Sequence, residues 1–327
     1  MPFGKGHIND TFLTESPHGK FIFQKVNGEV FDINVLVSNL RILFEKLRAY
    51  SQKEGEKLMP EIFPDDKGNY HTLAPDGSAW RLWAFVENGS TYSVSPSEEI
   101  SHKAAAALGS FQKFLATLPT EKFGESIKDF HNPLRRYFDF EKALATAPFY
   151  KKEKARKETA FLLSLKNIAL EARQIIENPD VPLRITHNDP KLENILFDSA
   201  GRVLVIDPDT IMPGYLMFDY GDMVRSFCTS AAEDERDISK VNFRFSHLQA
   251  LTRAYLSSMG DVLTPKEKLS LPIGAKAIVY EQALRFLSDY FNGDIYYKTH
   301  YEEHNLVRAA NQIKLLKDIL KIDFATV

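Results

Sequence analysis

The stretch between residues 183 and 209 constrains the fold of this chain most strongly. It contains apolar runs at 183–186, 195–197 and 203–206, which are short and rich in β-branched residues. Such runs predict three strands. A turn of sequence Asp-Ser-Ala-Gly at 198–201 separates the last two runs, so we expect them to form a hairpin. The polar segment 187–194 is then a loop held between strands, where binding and catalytic residues are often found.

The polar residues of this stretch are the types that phosphoryl transfer requires. Asn194 opens the second predicted strand and Asp207 follows the third, so the hairpin would present both side by side. Mg²⁺ takes one or two protein oxygens and fills its other positions with phosphate and water, which suits an amide and a carboxylate. We predict that Asp189 accepts the proton of the attacking hydroxyl and that Lys191 neutralises charge on the transferred group. Asp209 is a further candidate, for a second metal or for the acceptor.

The composition argues against other classes of protein. The chain has 327 residues, 44% apolar and 26% charged, with a formal net charge of −3 and a pI near 6.3. This charge gives no bulk attraction to nucleic acid or to an anionic membrane. Because the sequence contains neither a signal peptide nor an apolar span of membrane-crossing length, we expect a cytoplasmic protein. Cys228 is the only cysteine, so no intrachain disulfide can form. The sequence does not predict the oligomeric state.

Several segments of the chain resemble a known superfamily. The segment His187-Asn-Asp189-Pro-Lys191-Leu-Glu-Asn194 resembles the catalytic loop of the protein kinase-like superfamily, in the form found in aminoglycoside phosphotransferases and choline kinases. Asp207-Pro-Asp209 resembles the metal-binding turn of that branch. Together with three further segments, these resemble the N-acetylhexosamine 1-kinases: Gly6-His-Ile-Asn-Asp10-Thr, Phe218-Asp-Tyr-Gly-Asp222 and Arg285-Phe-Leu-Ser-Asp-Tyr-Phe-Asn-Gly-Asp294.

The resemblance implies a fold and an activity. The fold would be α+β and two-lobed, with a small antiparallel-sheet lobe at 1–88 that is short at its start and a larger, mainly helical lobe at 89–327. The activity would be transfer of phosphate from ATP, with Mg²⁺, to the anomeric hydroxyl of an N-acetylhexosamine, giving the sugar 1-phosphate. The expected partners are therefore a nucleotide and a small sugar, with neither nucleic acid nor membrane.

The resemblance also assigns residues near the N-terminus. Gly4 and Gly6 lie in a turn where backbone amides could approach phosphate oxygens. His7 would contact the sugar; the alternative is that its ring caps the turn. Protein kinases place a phosphate-binding lysine on the following strand, and here the apolar alternation puts Gln24 in that position and turns Lys25 to the other face.

Two further sites follow from the resemblance. Val86 and Glu87 end a strand and are candidates for the hinge that faces adenine. Arg285 would contact the sugar, although a salt bridge to Glu281 one helical turn earlier is the alternative. Asp219 and Asp222 are expected to bind local backbone and so to brace the catalytic loop.

Helical periodicity and capping signals predict most of the helices. Ser95 is expected to cap a helix that reaches Leu118, with Pro96 at the first helical position. The basic run 151–157 is expected to lie on a solvated helical face. The other expected helices cover residues 31–50, 130–146, 150–177, 223–229, 245–259, 265–287 and 296–320.

Two alternatives to a hexosamine kinase remain. The same scaffold phosphorylates choline, homoserine, methylthioribose and aminoglycosides, and the acceptor pocket decides between them. The chain could also be a kinase-like binding protein without turnover, because the strand lysine is displaced. The presence of Asp189, Asn194 and Asp207 argues against that alternative.

Overall fold

The computed structural model describes residues 1–3 and 9–327. Its first part is a five-stranded antiparallel sheet in the order β1-β2-β5-β3, with β4 also paired to β5. The phosphate-binding turn expected around Gly4, Gly6 and His7 lies outside the described residues. The strands are β1 (Asp10–Ser16), β2 (Gly19–Lys25), β3 (Ile62–Phe63), β4 (Thr72–Leu73) and β5 (Ala79–Ala84).

One long helix, α1 (Ile33–Glu54), accompanies the sheet. Asp32 caps it by accepting hydrogen bonds from the backbone of residues 34 and 35. Asn39 lies on the buried face, where its amide donates to the carbonyl of Ile211 at 3.3 Å and exchanges hydrogen bonds with the backbone of Gly124. The helix is therefore attached directly to the segment that follows Asp209.

The second part of the chain is mainly helical. Two short antiparallel pairs, β6 with β9 and β7 with β8, lie between its helices. Its elements are α2 (Glu98–Leu115), α3 (Pro133–Thr146), α4 (Phe149–Lys154), α5 (Arg156–Ser164), α6 (Lys166–Ile176), β6 (Arg184–Thr186), β7 (Ile195–Phe197), β8 (Val203–Val205), β9 (Met212–Gly214), α7 (Leu216–Phe227), α8 (Phe245–Met259), α9 (Pro265–Asn292) and α10 (His304–Ile319). No helix among residues 1–3 and 9–327 combines the length and apolar character that a membrane span needs.

The predicted α+β class is confirmed, with a small antiparallel sheet followed by helices. Some helix boundaries differ from the predictions. The hydroxyl of Ser95 donates to the backbone of Ser97, and Ser97 caps α2 in its place by accepting from the Ile100 amide. The single helix predicted at 150–177 is three helices, interrupted at Ala155 and Leu165.

Two further differences have visible causes. Lys151, expected on a solvated face, is buried, because its ammonium donates to the carbonyl of Tyr290 at the end of α9. The last helix begins at His304 because the carboxylate of Asp289 accepts the backbone N–H groups of residues 295–297, at 2.9 to 3.0 Å. Those N–H groups are thus held in a loop.

The core of the helical part depends on close contact between α7 and α9. Gly221 and Gly274 face each other where the two helices cross. A β-carbon at Gly274 would overlap the backbone carbonyl of Met217, and one at Gly221 would overlap the carbonyl of Gly274. The short separation of these helices therefore requires glycine at both positions.

We expect Gly274→Ala to destabilise the protein by at least about 3 kcal/mol, because backbone must move in a packed core. The higher helix propensity of alanine, about 1 kcal/mol, would offset only part of this. Unfolding in urea followed by circular dichroism measures the change. Gly28→Ala is the control, since its added β-carbon would meet only two side-chain carbons of Ile33, at 3.4 and 3.8 Å. Equal stability of the two variants would contradict the prediction.

Candidate active site

The predicted hairpin brings two candidate metal ligands together. Strands β7 and β8 pair with Ile195 opposite Val205. The amide of Ile206 donates to the carbonyl of Asn194 at 2.9 Å, which extends the pairing by one step. Asn194 and Asp207 therefore leave the same end of the hairpin, as the sequence predicted.

The catalytic loop is held by a buried carboxylate on α7. Asp219 accepts hydrogen bonds from the backbone N–H groups of His187, at 2.8 Å, and Asn188, at 2.7 Å. The side-chain amide of Gln112 on α2 also donates to it. Complete burial raises the pKa of Asp219, and these hydrogen bonds oppose that rise. The predicted bracing role of Asp219 matches this geometry.

His187 closes the loop on its other side. Its Nε2–H donates to the carbonyl of Ile206 at 3.1 Å, and its Nδ1 faces the amide of Asp189 at 3.3 Å. Because Nδ1 accepts from this amide, Nε2 is the ring atom that donates to the Ile206 carbonyl. The imidazole thus links the backbone amide of the predicted base, Asp189, to the carbonyl of Ile206, which precedes the predicted metal ligand Asp207.

Three predicted site residues contact one another directly. The ammonium of Lys191 lies 2.9 Å from Asp189 Oδ2, and the amide of Asn194 donates to the same oxygen at 3.0 Å. Burial works to raise the pKa of Asp189, but the Lys191 ammonium, together with the charges of His187 and Arg225, outweighs it and the net pKa is lowered. The predicted base is therefore ionised at neutral pH. Because Asn194 uses its nitrogen toward Asp189, its Oδ1 is the atom that can face a metal.

Asp207 has the character of a cation ligand. It adopts a left-handed backbone conformation, with φ of 60°. Burial and the neighbouring carboxylate of Asp209 raise its pKa to about 6. A bound cation offsets both effects and so stabilises the ionised form of this carboxylate. Asn194 and Asp207 thus fit Mg²⁺ in donor chemistry, and the described residues contain no group of three or more His, Cys, Asp or Glu side chains that could hold a metal.

Asp209 makes contacts that the sequence did not predict. One of its carboxylate oxygens is paired with Arg81 of β5, and the other accepts from the amide of Asn9 at 2.6 Å. Gln24 of β2 accepts two N–H groups of the same guanidinium, at 2.9 and 2.6 Å. Lys25 points to the opposite face, toward Asp76. Arg81 could have been noticed, because it occupies an inward position between Ala79 and Trp83 in an otherwise apolar strand.

On the other side of Asp189, Arg285 lies among aromatic rings. Its guanidinium is 5.5 to 5.7 Å from the ring centroids of Phe130, Tyr296 and Tyr297. It donates to Gln282 at 3.3 Å. Glu281, the alternative partner in the sequence, instead lies 3.0 Å from the ring of His131.

His131 was not identified from the sequence. Its Nδ1 faces Glu281, and its Nε2 lies 2.7 Å from the carbonyl of Asn188, the residue before the predicted base. Burial works to lower the pKa of His131, but the carboxylate of Glu281, with the Asn188 carbonyl and Asp222, outweighs it and the net pKa is raised. A protonated imidazole donates to both partners. An isolated histidine after a phenylalanine gives no signal for this role in the sequence.

The candidate hinge residues, expected to end a strand, follow β5, which stops at Ala84. The carbonyl of Val86 accepts the amide of Gly89 at 3.2 Å, and Glu87 is exposed, 3.5 Å from the ammonium of Lys20. The backbone of Ser90 then pairs in both directions with Phe197, the last residue of β7, at 2.8 and 2.9 Å. The chain therefore passes from the sheet directly to the catalytic hairpin.

Comparison with known proteins identifies the family. The model of the APH phosphotransferase enzyme family matches residues 1–245. The chain therefore belongs to this family of small-molecule phosphotransferases. Its predicted membership of the superfamily of aminoglycoside phosphotransferases and choline kinases is confirmed.

Solved structures share the fold across nearly the whole chain. A microcompartment-associated aminopropanol kinase is 18% identical, with a TM-score of 0.65 over 95% of this chain and 89% of its own. An amicoumacin kinase, solved with AMP-PNP and Ca²⁺, is 12% identical, with a TM-score of 0.65 over 100% of this chain and 91% of its own. Choline kinase from Streptococcus pneumoniae is 14% identical, with a TM-score of 0.53 over 94% of this chain and 89% of its own. At these identities the likeness establishes the fold.

The pairing of His131 with Glu281 predicts a pH dependence of stability. Because the pKa of His131 is raised, the folded protein binds its proton more tightly than the unfolded chain, whose histidine has a pKa of about 6.5. The stabilisation is complete below that pH and is lost as pH rises through the folded pKa. The free energy of unfolding of the wild type should therefore exceed that of His131→Gln most strongly at acidic pH.

Urea unfolding at a series of pH values between 5.5 and 8.5 tests this expectation. His102→Gln, on an exposed position of α2, is the control. A difference between wild type and His131→Gln that grows toward alkaline pH would show that the histidine is bound as a neutral ring.

Proposed function

We propose that this protein is an ATP- and Mg²⁺-dependent kinase that phosphorylates the anomeric hydroxyl of an N-acetylhexosamine. One observation carries the proposal: the partly buried contact of Asp189 with Lys191 and Asn194, at the end of the hairpin that also carries Asp207. This arrangement combines an ionised base, a phosphate-neutralising cation and oxygen ligands for one metal. Phosphoryl transfer depends mainly on such positioning and electrostatics.

Each site residue has a proposed role. Asp189 orients the acceptor hydroxyl and takes its proton, and Lys191 neutralises charge on the transferred phosphoryl group. Asn194 and Asp207 would hold Mg²⁺, which would offset the negative charge of the nucleotide phosphates. His131 and Asp219 hold the backbone before Asp189 by hydrogen bonds. The base therefore need not reorganise during the reaction.

The nucleotide is proposed to lie under the sheet-bearing lobe, residues 1–88. Gly4 and Gly6 would place backbone amides at the phosphates. Gln24 lies on the face of the sheet opposite Lys25 and is proposed to take part in nucleotide binding. Val86 and Glu87 would face the adenine. The remaining residues, 89–327, form the proposed catalytic and acceptor lobe. An amicoumacin kinase of similar fold was solved with a nucleotide analogue, which supports nucleotide use here.

The environment of Arg285 favours an uncharged acceptor. Three aromatic rings near Asp189 could form a cage for a quaternary ammonium group, as a choline acceptor would require. Here the guanidinium of Arg285 already lies within 6 Å of all three rings. A cationic acceptor such as choline or an aminoglycoside would meet this positive charge. A neutral sugar can instead accept hydrogen bonds from the guanidinium through its hydroxyl or amide oxygens. His7 is proposed to contact the same sugar.

The reaction itself is the first test. We would incubate the purified protein with Mg²⁺, ATP and one acceptor at a time, including N-acetylglucosamine, N-acetylgalactosamine, galactose, choline and homoserine, and follow products by phosphorus NMR. An anomeric phosphate formed only from the N-acetylhexosamines is the expected result. Turnover of a different acceptor would overturn the proposed sugar and keep the kinase. Nucleotide binding without any turnover would favour a binding protein.

We expect Asp189→Asn to lower kcat by about 10²- to 10⁴-fold, because the variant lacks the proton acceptor. ADP affinity should change little, since the proposed metal ligands remain. Isothermal titration with Mg²⁺ and ADP, together with the rate assay, separates the two effects. Undiminished turnover would show that another group is the base.

Arg285→Met tests the acceptor pocket. The substitution keeps much of the apolar contact with the rings and removes the charge, so we expect KM for the sugar to rise about tenfold or more while ADP affinity stays unchanged. Arg253→Met, on an exposed position of α8, is the matched control. An unchanged KM would remove Arg285 from the acceptor site. New binding of choline by the variant would support the role of its charge in acceptor choice.

A further inference from the structure

Asp209 is fully engaged by protein groups. Its side chain is 2% exposed and receives Arg81 on one carboxylate oxygen and Asn9 on the other. Its backbone carbonyl accepts the hydroxyl of Ser126 at 3.0 Å. Three segments far apart in the sequence therefore converge on this residue. With a donor on each oxygen and almost no exposed surface, this carboxylate is poorly accessible to a cation in this arrangement.

Arg81 is aimed at Asp209 by the sheet. Strands β2 and β5 place Gln24 directly opposite Arg81, so both side chains lie on one face. Gln24 Oε1 accepts from Nε and Nη2 of the guanidinium, which leaves Nη1 directed at Asp209. The guanidinium also lies 5.2 Å from the ring centroid of Trp83. With only 1% of its side chain exposed, Arg81 is held rigidly from several sides.

The contact between Arg81 and Asp209 restrains the turn that carries Asp207. That turn continues from the left-handed Asp207 into one turn of 3₁₀ helix at Pro208–Thr210. A left-handed conformation is unfavourable for an aspartate and persists only where its surroundings hold it. Asp209 is the residue of this turn that is bound to the sheet. The pair with Arg81 therefore fixes the direction in which the Asp207 carboxylate points.

We propose that Arg81 is a positioning residue for the metal site, which it orients through Asp209, and that Asp209 is an anchor and not a second metal ligand. This inference rests on the proposed function, because it assumes that Asp207 binds the nucleotide-bound metal. Partners that orient a metal ligand typically contribute 10- to 100-fold to metal affinity.

The two possible roles of Asp209 predict opposite effects of removing its partner. We would measure Mn²⁺ binding in the presence of ADP by electron paramagnetic resonance for wild type, Arg81→Met and Asp209→Asn. If Asp209 is an anchor, Arg81→Met weakens Mn²⁺ binding by about 10- to 100-fold. Asp209→Asn, which retains an oxygen for Arg81, then weakens it less. If Asp209 is a ligand, Arg81→Met frees it and Mn²⁺ binds as tightly or more tightly, whereas Asp209→Asn loses more than about tenfold. The second pattern would overturn the proposal.

Two milder variants cover the case in which Arg81→Met does not fold, since it leaves Asp209 buried without a cation. Arg81→Lys keeps the charge and loses the fork geometry, and Gln24→Met removes the oxygen that aims the guanidinium. Both should weaken Mn²⁺ binding in the presence of ADP, and Arg81→Lys should leave adenosine affinity unchanged. Unweakened Mn²⁺ binding in both variants would overturn the proposal.

Lys25→Met, on the opposite face of β2, serves as the control and should bind Mn²⁺ as the wild type does. A wild-type protein that binds neither ADP nor Mn²⁺ with ADP would instead overturn the proposed kinase function. The failure of that function is thereby distinguished from the failure of this inference.

Discussion

The arrangement of the active site depends on the carboxylate of Asp219. It is buried under the catalytic loop and accepts two successive backbone N–H groups, those of His187 and Asn188. An unpaired buried amide is costly, so these two hydrogen bonds define the path of the loop. His187, Asn188 and Asp189 then have one arrangement relative to the hairpin. Asp219 is itself held by Gln112, so the helices α2 and α7 determine where the base lies.

The site is completed by polar contacts that reach it from distant parts of the chain. On the sheet side, Gln24 and Arg81 reach the turn after Asp207. On the helical side, Glu281 reaches the carbonyl of Asn188 through His131. Each series of contacts ends on a backbone group or a side chain next to a proposed catalytic residue. The proposed catalytic residues are thus oriented from two directions by groups that have no proposed part in the chemistry.

How much of this could be predicted from the sequence depended on the range of the interactions. The hairpin of β7 and β8 followed from local patterns, because strand periodicity and a turn signal lie within a dozen residues. The grouping of Asp189, Lys191 and Asn194 followed from their spacing in one loop. The start of α10 did not, because residues 295–297 give their N–H groups to Asp289. The roles of Arg81 and His131 depend on partners more than fifty residues away, and no local pattern records such partners.

The loop after α9 can change without altering the loop that carries Asp189. Arg285, Tyr296 and Tyr297 lie within thirteen consecutive residues, and Asp289 holds the loop that presents the two tyrosines. None of these residues braces the catalytic loop through Asp219. Substitutions or insertions in this short stretch can therefore reshape the region beside Asp189 while the phosphoryl-transfer machinery stays intact. In this fold, few mutational steps are therefore enough to change that region, and solved proteins of similar fold include an aminopropanol kinase and a choline kinase.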